Sequence, residues 1–126
     1  MVKPLAAECE APHAHRLSNQ ALAAPTSIGR AANLFRALGE PSRLRLLSRL
    51  LDQACCVGDL AEAEGEAMST ISQRLRILRA ENIVVRRRQG KHVLYGLVDR
   101  HVKDLVLNAL AHAEETPELE PDQEQD

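Results

Sequence analysis

The sequence predicts a mainly α fold with a small β-hairpin, arranged as a winged helix-turn-helix and built as a homodimer. Four observations carry this. Apolar residues recur three or four apart through most of residues 28–115 and change to strand-like runs only near 83–88 and 92–98. Aromatic residues make up 2% of the chain and Trp is absent, so Leu, Ala, Val and Ile must supply the core from the 44% that is apolar, a composition that favours helices. At 126 residues one domain is expected, small enough to gain from an interface. The last helix, finally, carries two sets of metal-ligand residues that one copy of the chain cannot bring together.

The elements follow in order. Residues 1–16 hold Pro4 and Pro12 and read as a flexible arm bearing Cys9, His13 and His15. The folded unit is expected over residues 17–115, where 17–24 can form a short helix before Pro25. Thr26 or Ser27 can cap a helix whose apolar stripe is Ile28, Ala31, Ala32, Phe35 and Leu38, with Gly39 as its end. Pro41 suits the first turn of the next helix, and Leu44, Leu47, Leu50 and Leu51 form its expected buried stripe. A short helix over 57–64 closes at Gly65. Ser69 opens a helix to Ala80 that buries Ile71, Leu75 and Leu78. Strands at 83–88 and 92–98 flank a turn at Gln89-Gly90. Asp99 caps a last helix running to Glu115. Residues 116–126, with Pro117 and five acidic side chains, read as a disordered acidic tail.

The net charge of −2 conceals a segregation of charge. Arg74, Arg76, Arg79, Arg86, Arg87, Arg88 and Lys91 lie in one segment opposed only by Glu81, while the acids crowd the tail. The basic segment is the part suited to phosphates. In a helix-turn-helix the second helix enters the major groove and reads base edges from its N-terminal part. Here Ser69, Thr70, Gln73 and Arg76 project opposite the apolar stripe. Gln suits adenine, Arg suits guanine, and Ser and Thr suit bases or phosphates. Arg88, Lys91 and His92 on the hairpin suit phosphate or minor-groove contact. Double-stranded DNA is the expected partner.

On the last helix, His101 and His112 are 11 residues apart. At ~100° per residue they return to within roughly 20° of one face, yet at ~1.5 Å rise they stand roughly 16 Å apart. Asp99 accompanies the first and Glu115 the second. Ligands must approach a metal to about 2 Å, so two antiparallel copies are required. Asp99 and His101 of one chain would meet His112 and Glu115 of the other, twice, across a twofold axis. The three cysteines, Cys9, Cys55 and Cys56, do not form a disulfide scaffold, and in a reducing compartment metal binding is their expected use.

Enzyme readings find no support. There is no Gly-rich phosphate loop, no nucleophile elbow and no Ser-His-Asp order. The Asp/His/His/Glu set would leave no open position for a catalytic water. No apolar run is long enough to span a membrane and no signal peptide is apparent, so a cytoplasmic protein is expected.

With these residues in view, the chain resembles the ArsR/SmtB family of metal-sensing transcriptional repressors. The resemblance covers roughly residues 28–115. It rests on Leu38-Gly39-Glu40-Pro41-Ser42-Arg43-Leu44-Arg45-Leu46-Leu47, on Cys56-Val57-Gly58-Asp59-Leu60, and on Ser72-Gln73-Arg74-Leu75-Arg76-Ile77-Leu78-Arg79. It continues through Arg88-Gln89-Gly90-Lys91-His92-Val93-Leu94-Tyr95 and the D-x-H and H-x-x-E halves of the last helix. The resemblance implies a homodimer that binds a palindromic operator when metal-free and releases efflux or sequestration genes when metal binds. It implies Zn2+ at Asp99, His101, His112 and Glu115, with Co2+ as a substitute. It also implies a second site at Cys9, His13, Cys56 and Asp59, whose thiolates suit Cd2+, Pb2+ or Cu+ as well as zinc. Cys55 and His15 are further candidates there. The alternative reading is a thiol sensor of a softer metal or of redox state acting through Cys9, Cys55 and Cys56. Many family members have His where this chain has Gln73, which implies a different operator preference.

Overall fold

The computed structural model describes residues 24–115. The arm at 1–16, the short helix expected before Pro25 and the tail at 116–126 lie outside the described residues, apart from Ala24. Five helices and one hairpin follow in order: α1 (Pro25–Leu38), α2 (Pro41–Arg49), α3 (Val57–Glu64), α4 (Met68–Ala80), β1 (Val84–Gln89), β2 (His92–Leu97) and α5 (Arg100–Glu115). The element order matches the sequence reading. The strands pair antiparallel, from Val84 opposite Leu97 to Gln89 opposite His92. That register leaves Gly90 and Lys91 as the two-residue loop, one position beyond the expected Gln89-Gly90. Gly90 takes φ +66°, the glycine-first pattern of a type II′ hairpin.

α1 starts earlier than expected. Its cap is Ala24, with no side-chain bond, and Pro25 occupies the first turn, where a missing N–H costs nothing. Thr26 and Ser27 therefore lie inside the helix. At the other end Gly39 has φ −83°, an ordinary value. Its role is steric, because a Cβ there would sit 3.2 Å from the Phe35 carbonyl oxygen. The α1–α2 corner is then held by two charged side chains. Glu40 caps α2, accepting from the Arg43 backbone N–H at 3.0 Å and from the Ser42 hydroxyl. Those bonds, the Ser42 hydroxyl first, hold its carboxyl below the usual carboxylate range. Arg43 reaches back and donates Nε to the Ala37 carbonyl at 2.8 Å, satisfying an orphan acceptor at the end of α1.

The core is formed by the end of α1, by α2, α3 and α4, by the start of β1 and by two residues of α5. Leu46, Leu47, Leu50, Leu60, Ile71, Leu75, Leu78, Ile83, Val84 and Val106 are buried. The α4 stripe is the expected one. The α2 stripe is rotated: Leu46 is fully buried, whereas Leu44 and Leu51 are only partly covered. α1 departs most. Of its expected stripe Leu38 is buried, joined by Ala37, while Ile28 is 50% exposed and Phe35 59% exposed.

α2 and α3 are clamped by Glu64. Its side chain is 4% exposed and accepts from Arg45 Nε at 3.0 Å and from Arg49 Nε. Arg49 also donates to the Ala63 carbonyl at 3.3 Å. The Arg49 hydrogen bond leads in lowering the Glu64 carboxyl from its ordinary range. A depressed folded value contributes stability above the unfolded pKa and loses it as pH falls through the carboxylate range. Glu64→Gln is therefore expected to cost about 1–2 kcal/mol at pH 7. The difference from the native chain should shrink as pH falls below about 4. Urea unfolding at the two pH values checks this.

Candidate nucleic-acid interface and metal half-sites

α4 owes its orientation to Ile71, Leu75 and Leu78, each with no exposed surface. At ~100° per residue the opposite face is centred on Ser69, Gln73 and Arg76, and all three are exposed. Thr70 lies on the flank and is half-buried. Arg76 Nη1 donates to Gln73 Oε1 at 3.3 Å, so two expected base-reading side chains touch each other. The α3–α4 turn is closed by Gly65 in a left-handed conformation. Arg74 is diverted to this turn: its side chain is 20% exposed and Nη2 donates to Glu66 Oε2 at 3.4 Å. Arg74 thus ties α4 to the turn before it rather than adding to the outward charge.

The hairpin separates its arginines by the two-residue period of a strand. Arg86 and Arg88 share one face with Val84, and Arg87 lies on the other with Val85. All three are exposed, as are Lys91 and His92 at the tip. From Met68 to Val98 the one acidic residue is Glu81. α4 and the hairpin thus carry exposed Arg76, Arg79, Arg86, Arg87, Arg88 and Lys91, charge of the sign suited to a polyanion.

On α5, Asp99 serves the helix and the candidate site with different oxygens. Oδ1 accepts from the Val102 backbone N–H at 3.0 Å and caps the helix. Oδ2 stands 3.6 Å from His101 Nδ1. Two ligands at ~2.0–2.1 Å from a tetrahedral ion are themselves about 3.3 Å apart, so this pair stands near the separation that zinc coordination requires. His112 and Glu115 lie in the last turn of the same helix. Among the described residues no three His, Cys, Asp or Glu side chains gather round one point. The shared oxygens of Asp99 make a separable prediction. Asn is as good a cap as Asp, and Ala is not. Asp99→Asn is expected to hold native stability while weakening metal binding. Asp99→Ala should weaken metal binding and also lose about 1 kcal/mol of stability. Urea melts paired with metal titrations check both.

The cysteine region lies partly among the described residues. Cys56 is the half-buried residue preceding α3, and Asp59 lies exposed in its first turn. Cys9 and His13, the other half of the expected second site, lie outside the described residues. Cys55 forms an antiparallel bridge with Tyr95 through backbone bonds of 2.9 and 2.8 Å. Cys55 lines a groove of about 550 Å³ together with Arg49, Asp59 and Glu64. Burial first, then the nearby Asp59 and Cys56, push the Cys55 thiol's pKa up. Cys55 is thus poorly supplied with the thiolate that redox chemistry needs. Cys55 and Cys56 stand on adjacent extended residues, and the Cys56 thiol is near enough to add to the upward shift at Cys55.

The model of the bacterial regulatory proteins of the arsR family matches residues 40–85, which span the α2–α4 unit and the start of the hairpin. NmtR of Mycobacterium tuberculosis is 42% identical over 83 residues, covering 66% of this chain and 69% of NmtR. The solution structure of apo-NmtR agrees with a TM-score of 0.66 at 34% identity, covering 88% of this chain and 94% of that one. The chain belongs to the arsR family. A transcriptional repressor SmtB homolog of Synechocystis sp. is 46% identical over 85 residues, and the match spans 68% of this chain and 64% of that repressor. A homodimeric winged helix-turn-helix DNA-binding domain from Mycobacterium bovis, a possible ArsR-family regulator, gives a TM-score of 0.70 at 25% identity, covering 84% of this chain and 94% of that one. The fold is thus the winged helix-turn-helix. Among the described residues no helix is long and apolar enough to cross a membrane.

The family resemblance had been legible in the motifs. Several supporting contacts had not. Glu40, Arg43 and Arg74 stand inside quoted motifs, but nothing in the sequence distinguished their bracing roles. Glu64 pairs with arginines 15 and 19 residues away, beyond any local pattern.

Proposed function

We propose that this chain is a metal-responsive transcriptional repressor, with zinc as its effector. It binds a palindromic operator as a metal-free homodimer and leaves it when metal binds. The observation that carries this reading is the last helix: an Asp99–His101 pair at near-ligand separation, one face, and His112 with Glu115 three turns further on. Two protomers would supply two nitrogens and two oxygens to each of two sites, and that donor set suits zinc, with cobalt as a substitute. The names of the SmtB and NmtR relatives, as a repressor and an HTH-type transcriptional regulator, support the regulatory part of the reading.

The dimer has its own support. Ile28 and Phe35 lie seven residues apart on one exposed stripe of α1, and Leu107 on α5 is 42% exposed. Seven residues are two turns, so the α1 pair forms a continuous apolar strip. A second copy would cover it and bring the α5 helices together. Asp99 and His101 of one protomer and His112 and Glu115 of its partner would then tie α5 to α5. That tie favours one spacing of the two α4 helices, and an operator with fixed half-site separation requires another. The coupling is reciprocal: DNA must weaken metal binding by the same factor that metal weakens DNA binding. Cys56 and Asp59 would add half of a second, softer site completed by Cys9 and His13.

The test is a zinc titration of the full chain bound to a labelled duplex selected from a randomised library, followed by fluorescence anisotropy. The apo protein should bind with a steep inverse dependence on salt. Zinc should weaken binding about 5- to 150-fold. Unchanged affinity at saturating zinc would overturn the effector role, and salt-independent binding would overturn the DNA role.

A further inference from the structure

We propose that Gln73 and Arg76 read DNA as one unit, with Arg76 positioning the Gln73 amide, and that the unit selects guanine edges. This rests on the reading that α4 enters the major groove. The two side chains lie three apart on the exposed face of α4, and Arg76 Nη1 donates to Gln73 Oε1 at 3.3 Å. A guanidinium has donors and no acceptor. The amide atom that meets it must therefore be oxygen, and the amide's orientation follows from chemistry. Gln73 Nε2, with two donor hydrogens, is turned away from Arg76.

This changes what the helix offers a base pair. A free Gln suits adenine because its oxygen accepts from N6 and its nitrogen donates to N7. Here the oxygen already faces a cationic donor. An adenine amino group would have to approach that same oxygen beside the guanidinium. The open edge of the pair is donor-rich: Gln73 Nε2 and the remaining N–H groups of Arg76 flank the one lone pair left on Gln73 Oε1. In the major groove, guanine presents two acceptors, O6 and N7, and no donor. The pair thus matches guanine at Arg76 and an acceptor-rich base beside it, in place of the adenine that Gln73 would favour on its own. Arg74, two residues earlier, faces the turn before α4, where it donates to Glu66 at 3.4 Å.

The experiment selects binding duplexes from a randomised library with the full chain and with Gln73→Ala, Arg76→Ala, Arg76→Lys and the double variant, then measures each against single base-pair changes. The native chain is expected to prefer guanine at one base pair and guanine or thymine at its neighbour. Gln73→Ala should lose about tenfold discrimination at the neighbouring pair. Arg76→Ala should relax both pairs together, with the double variant no worse. Arg76→Lys retains a donor for Gln73 and should restore preference at the neighbouring pair but not the forked guanine contact. A purely structural role for Arg76 would weaken all sequences alike and leave the preferences standing. The proposal is overturned if Arg76→Ala relaxes one pair only, if the two single effects add, or if adenine is selected beside the guanine. Failure of the native chain to bind any duplex with salt dependence would instead overturn the DNA-binding reading, and this proposal with it.

Discussion

Phe35→Asp is expected to convert the dimer to a monomer and to remove tight operator binding, with the protomer still folded. Phe35 is 59% exposed and contributes little to the protomer's own core. Its partner on the same stripe, Ile28, is 50% exposed. Covering the exposed half of each such side chain contributes about 1–1.5 kcal/mol. A twofold interface counts each substitution twice, and a carboxylate buried without a partner adds a desolvation penalty. The dimer dissociation constant should rise on the order of 100-fold or more. A monomer engages one half-site and loses the linkage between two reading helices. Sedimentation equilibrium, circular dichroism and DNA anisotropy together check this. A Phe35→Asp chain that stays dimeric at micromolar concentration would show that another surface joins the copies.

The second large effect concerns the metal response. His101→Ala and His112→Ala homodimers each lose one nitrogen from both sites, leaving three ligands, two of them carboxylates. Zinc affinity should fall at least 100-fold, because a structural zinc site is four-coordinate and closed. Binding of DNA by the metal-free proteins should stay within about twofold of native, since neither residue lies on α4 or the hairpin. A zinc titration of each DNA complex should show no release at concentrations that empty the native operator. Full release from either variant would transfer sensing to the cysteine region.

How far the sequence carries can be judged element by element. The order of helices and strands was legible because Gly39, Pro41, Gly65 and Gly90 separate stretches of clear period. The α2 stripe was mis-registered because Leu44, Leu46, Leu47, Leu50 and Leu51 place leucine on most sides of one short helix. Periodicity also found the apolar stripe of α1 without saying what covers it, and Ile28 and Phe35 prove exposed in the single chain. The placement of His101 and His112 on one face of α5 was legible because an 11-residue spacing translates directly into one face and a known rise. The double duty of Asp99 could be guessed, but not the division of its oxygens between Val102 and His101. The Gln73–Arg76 contact was hidden for a different reason: three-apart spacing permits a bond, and only rotamers decide whether it forms.

The most direct test of a site shared across the dimer is the metal stoichiometry of a mixed dimer, one chain carrying His101→Ala and the other His112→Ala, purified through two different tags. If Asp99 and His101 of one protomer join His112 and Glu115 of its partner, the mixed dimer keeps one whole site and breaks the other twice. It should bind one zinc tightly, where either homodimer binds none and the native dimer two. A mixed dimer that binds no tight zinc would place the ligands within single chains, and one that binds two would place them on other residues.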